Sequence, residues 1–135
     1  MNLFVAAVRV AGAIQLLDIP AHLALRRRIR WSENLVRLSP LVRQFFRVHW
    51  FYILLVLGLF GVACLGFAPE LAGGKGLGRF LSGALAIFWL LRAGIQLFYF
   101  EADFRKQNRL GDLAFALSAF YMGVVFAIAA LRPLL

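Results

Sequence analysis

Few side chains in this 135-residue sequence are equipped for chemistry, and most of them fall into two sets with helical spacing. Gln15, Asp18 and His22 recur at steps of three and four residues, which return to one side of a helix, and Arg92, Gln96, Tyr99 and Asp103 do the same further along. Each set sits in or beside a long apolar stretch. A carboxylate or guanidinium in such surroundings must pair or face a wet cavity, because an isolated charge in hydrocarbon is strongly disfavoured. Counting inward from helix ends near Leu25 and Phe100 at 1.5 Å per residue, Asp18 lies about 10 Å deep and Arg92 about 12 Å deep. The matched depths predict a buried polar cluster of Asp18, His22, Arg92, Gln96, Tyr99 and Asp103, with Asp18 and Arg92 in contact. Such a pair either fixes helix register or forms a gated polar site of the kind a small oligomeric carrier or channel would use.

His22 and His49 are the only histidines. Two imidazoles near one membrane boundary are suited to ligate a haem, and Asp18, His22, His49 and Asp103 together have the ligand types for a metal ion. The opposing reading is interfacial anchoring beside Trp50 and Tyr52. No Cys-x-x-Cys-His, His-x-x-His or Glu-x-x-His pattern occurs. Cys64 is the single cysteine, which excludes a disulfide, a cysteine-based zinc site or an iron-sulfur cluster held within this chain. The glycine-rich segment 69–79 is not a phosphate loop. A Walker pattern ending at Gly74-Lys75 needs Gly at 69 and Ser or Thr at 76, where Pro69 and Gly76 stand. With no nucleophile elbow and no Ser/His/Asp arrangement, no catalytic residue is assigned and the expected role is non-enzymatic.

The elements that must carry these residues follow from composition. Hydrophobic residues make up 63% of the chain and charged ones 16%, against about half and a quarter in soluble domains. The excess falls in blocks, and about 20 apolar residues cross a hydrocarbon core of ~30 Å. Four crossings are read at about 3–25, 50–68, 80–100 and 113–131, giving an all-α, four-helix integral membrane bundle in one domain. The first is the least regular, since Pro20 removes a backbone donor and predicts a kink or an early end. Ser39 followed by Pro40 predicts a helix start well before the second crossing, extending that helix into the cytoplasmic interface. Asp112 is read as the cap of the fourth helix. Ala114, Ser118, Gly123 and Ala127 supply the small-residue spacing that lets membrane helices approach.

The net charge of +9 is distributed as a topology signal. Seven basic residues lie in segment 26–49 and three in 101–112, whereas the other connector and the tail hold Lys75, Arg79 and Arg132. By the positive-inside rule the two basic segments face the cytoplasm and both termini the periplasm of a bacterial-type inner membrane. The N-terminus has no basic n-region, so the first segment is expected to be retained. Arg26, Arg27, Arg28, Arg30, Arg43 and Arg47 are expected to meet the anionic headgroups of the bilayer. Nucleic acid is not an expected partner; a protein partner or a homo-oligomer is.

Overall fold

The structure, a computed structural model, describes residues 2–132. It is all-α: α1 (Leu3–Arg28), α2 (Trp31–Val36), α3 (Pro40–Gly66), α4 (Ala68–Ala72), α5 (Gly76–Phe98), α6 (Ala102–Gln107) and α7 (Arg109–Leu131). Four of these, α1, α3, α5 and α7, are long and apolar enough to cross a membrane. The chain is a multi-pass membrane protein built as a four-helix bundle.

Sequence explains most of the boundaries. Pro40 opens α3 where a missing amide proton costs nothing, and the Ser39 backbone carbonyl accepts from Arg43 N at 3.0 Å. The Ser39 side chain makes no capping bond. At 27 residues α3 is about 40 Å long, so it exceeds a ~30 Å hydrocarbon core by roughly two turns. Pro20 does not end the first helix. Continuous helix runs through it to Arg28, as membrane helices permit when neighbours pack both flanks. The connector 69–79 is also more ordered than its glycines suggest. α4 buries Ala68, Leu71 and Ala72, and Ser82 Oγ donates to the Leu71 carbonyl at 2.9 Å, while Gly74 takes the left-handed turn (φ 64°) that leads into α5.

The helices pack as two pairs, α1 with α3 and α5 with α7, joined where α1 meets α7 and where α4 wedges against both pairs. Close approach in the first pair comes from glycine. A Cβ on Gly12 would stand 2.7 Å from Cys64 Cβ and 2.9 Å from the Gly61 carbonyl oxygen. In the second pair a Cβ on Gly123 would stand 2.6 Å from Leu90 Cδ2. Without a hydrophobic force between helices in lipid, this backbone proximity is what holds them. The inward face of α7 is Ala116, Ala119, Met122, Gly123, Phe126 and Ala129. Of the expected stripe only Gly123 lies on it; Ala114 is exposed and Ser118 and Ala127 are half-buried.

Candidate functional site

Within the apolar interior of α1 two polar residues are sealed off. Gln15 is fully buried, its Nε2 donating to Cys64 Sγ at 3.5 Å and to its own helix at the Ala11 carbonyl at 3.4 Å. Asp18, one turn on, is 6% exposed. Gln15 Oε1 and Asp18 Oδ2 have no hydrogen-bond partner, and neither has Trp89 Nε1 on α5. Buried polar atoms are nearly always satisfied, so the two acceptors on neighbouring turns of α1 call for a physical explanation.

Asp18 faces Arg92 of α5 closely enough for the two charges to interact. They do not form the contact ion pair that matched depth predicts; among the described residues the ion pairs are Arg30 with Glu33 and Arg105 with Asp112. The reason is that α1 packs on α3, α4 and α7, whereas Arg92 belongs to α5, which packs chiefly on α7. Arg92 makes its recorded contacts elsewhere. Its Nη1 donates to Gln96 Oε1 at 3.2 Å, and its guanidinium stacks over Phe115 at 4.5 Å and Phe100 at 5.2 Å. Cation-π contact of this kind shelters a charge from lipid without a carboxylate.

From Gln96 the polar line continues to a residue outside the expected cluster. Gln96 Nε2 donates to Asp112 Oδ1 at 2.6 Å, and Arg105 clamps the same carboxylate through Nε at 3.0 Å and Nη2 at 3.1 Å. A bidentate guanidinium-carboxylate pair fixes orientation as well as charge. The hydrogen bond from Arg105 to Asp112 holds the guanidinium above its ordinary pKa. Arg105 Nη1 also donates to the Leu97 carbonyl at 2.5 Å, tying α6 to the end of α5. Asp112 is therefore not a cap. α7 begins three residues earlier, and its first-turn carboxylate joins α5, α6 and α7.

Tyr99 and Asp103 are not part of this assembly. Tyr99 is 81% exposed and Asp103 is exposed on α6. Helical spacing fails for them because α5 ends at Phe98, so the face shared by Arg92 and Gln96 does not continue to Asp103. Sequence reasoning missed Asp112, Arg105 and Phe115; an acid and a base flanking a helix start were the available signal.

The histidines point to separate surroundings. His22 Nδ1 donates to the Asp18 backbone carbonyl at 2.8 Å, and its ring meets Phe115 edge-on at 6.3 Å. His49 is exposed, donates from Nδ1 to the Phe45 carbonyl at 2.8 Å, and lies beside the Phe45 ring. Among the described residues no three of His, Cys, Asp and Glu gather to hold a metal ion. The set Asp18, His22, His49 and Asp103 thus does not assemble, since its members lie on three helices with different facings.

The basic residues gather where α1, α2 and α3 meet. The Arg26 guanidinium lies over the Trp50 ring at 4.7 Å, and Trp31 packs on Phe46 and Trp50 with ring centroids 6.2 and 6.4 Å apart. Arg43 Nη2 donates to the Leu38 carbonyl at 3.2 Å, while Arg28 reaches Asn108 between α6 and α7. Arg27, Arg30 and Arg47 are exposed. A second surface feature is an apolar groove along α5, lined by Ile87, Leu90, Leu91, Gly94, Ile95, Phe98 and Tyr99.

No known protein family matches the chain, and no curated protein or solved structure is significantly similar to it.

Proposed function

We propose that this is a non-enzymatic inner-membrane protein that works as an accessory or assembly subunit, by contact of its helices with another protein chain. The observation that carries the reading is the groove on α5. Its lining includes Gly94, where an added Cβ would meet nothing within 4 Å, flanked by the large side chains of Leu91, Ile95 and Phe98. A small residue between large ones on an outward membrane face is the shape that accepts a partner helix. On this reading the basic ends of α1 and α3 lie at the cytoplasmic headgroups, with both termini periplasmic. Purification in mild detergent tests it: a homo-oligomer or a stoichiometric partner is expected, and a lone monodisperse monomer contradicts it.

A second reading, a small carrier using Asp18 and Arg92, is favoured by one observation, the unpartnered Asp18 Oδ2 inside the bundle. Substrate-dependent flux in vesicles that is lost in Asp18→Asn would separate it from the first.

A further inference from the structure

Gln15 Oε1 and Asp18 Oδ2 are buried acceptors on the same face of α1, three residues apart and therefore neighbours on the helix surface. Neither oxygen has a donor. A carboxylate oxygen left bare in an apolar interior is strongly disfavoured, and so is a bare amide oxygen. The groups around them do not supply what is missing. Arg92 from α5 donates to Gln96 and stacks on two aromatic rings, and gives no hydrogen bond to either oxygen. Cys64 from α3 already receives the Gln15 amide, and Tyr121 from α7 donates to the Ala7 carbonyl at 3.1 Å. On α1 itself His22 gives its Nδ1 proton to the Asp18 backbone. Glu70 on α4 and Glu33 on α2 are exposed and turned to the surface.

One proton removes both deficits. We propose that Asp18 is a reversible intramembrane proton-binding site, in which a proton taken up from water on Oδ2 makes a neutral carboxyl whose O–H donates to Gln15 Oε1. The carboxylate charge of −1 becomes zero and no other bond changes. The consequence reaches across the bundle, because α1 belongs to one helix pair and Arg92 to the other. Uptake of the proton cancels the Asp18–Arg92 attraction between the pairs; release restores it. This holds whether or not α5 docks a partner.

Infrared difference spectroscopy of the protein in liposomes, titrated across the physiological pH range, tests it. A protonated-carboxyl carbonyl band is expected that grows as pH falls, is missing in Asp18→Asn, and moves to higher frequency in Gln15→Leu as its hydrogen bond is lost. Asn reproduces the neutral form in shape, so that variant retains the fold. Identical titrations of the original protein and Asp18→Asn overturn the proposal, as does an Asp18 band that does not respond to pH. A band that is lost in Asp18→Asn but unmoved in Gln15→Leu overturns the assigned acceptor.

Discussion

Gly12 of α1 and Gly61 of α3 face each other at the point where the first two long helices cross, so closely that a methyl group on Gly12 would lie 2.9 Å from the Gly61 carbonyl oxygen and 2.7 Å from Cys64 Cβ. Backbone cannot yield as a side chain can. Gly12→Ala is therefore expected to destabilise by about 2 kcal/mol, the ordinary cost of overpacking. Gly58→Ala, where the nearest atom is 3.8 Å away, should be close to neutral. Thermal unfolding of the two variants in one detergent provides the comparison, and equal midpoints would refute this account of the crossing.

The second helix pair makes a sharper case, because the obstacle there is largely a flexible side chain. Gly123→Ala brings a methyl group to 2.6 Å from Leu90 Cδ2 and 2.7 Å from Leu90 Cγ. Adding Leu90→Ala removes both atoms, so the double variant should recover part of the loss caused by Gly123→Ala. A double-mutant cycle with coupling of about 1 kcal/mol is expected, and strict additivity would show that the two positions do not press on each other.

Asp112 holds α5, α6 and α7 together through Gln96 and Arg105. Asp112→Asn keeps the size but removes the charge that orients the guanidinium. Faster amide hydrogen exchange is expected in residues 99–108, with little change in the middle of α7, where Met122 and Phe126 are buried. Unchanged exchange around α6 would mean that the clamp is dispensable.

Orientation in the bilayer is open to labelling, since the single native cysteine, Cys64, is fully buried and gives no background. Lys106→Cys is expected to react with an impermeant maleimide only from the cytoplasmic side, and Lys75→Cys only from the periplasmic side. The reverse pattern would invert the proposed topology.

How much of this was legible in the sequence differs between helix lengths and helix facings. Runs of apolar residues fix where the long helices lie, because crossing a bilayer requires a minimum length, and Pro40 marked the start of α3 to the residue. Rotation about each helix axis was harder to read. An apolar helix such as α7 has no polar face to betray its outer side, so Ala114 and Ser118 looked as suitable for contact as Ala116 and Ala119, which are the ones buried. The site shows the same limit. Asp18 and Arg92 were recognisable as intramembrane charges, but their separation depends on which helices are neighbours, and α1 turned out to pack on α3, α4 and α7. Asp112 escaped notice because an acid at a helix start reads as a cap, whereas its actual partners come from two other helices.

The groove along α5 carries the central claim, and a photo-cross-linking side chain at Leu91, in native membranes, probes it most directly. Gly94→Leu is the matched control: an added Cβ there meets nothing within 4 Å, so the larger side chain is expected to occupy the groove and leave the fold intact. A discrete higher-mass adduct at position 91 that disappears with Gly94→Leu, with none from a probe at exposed Leu59 on α3, is the expected result. No protein adduct at Leu91, or one that Gly94→Leu leaves intact, would contradict the claim that α5 docks another chain.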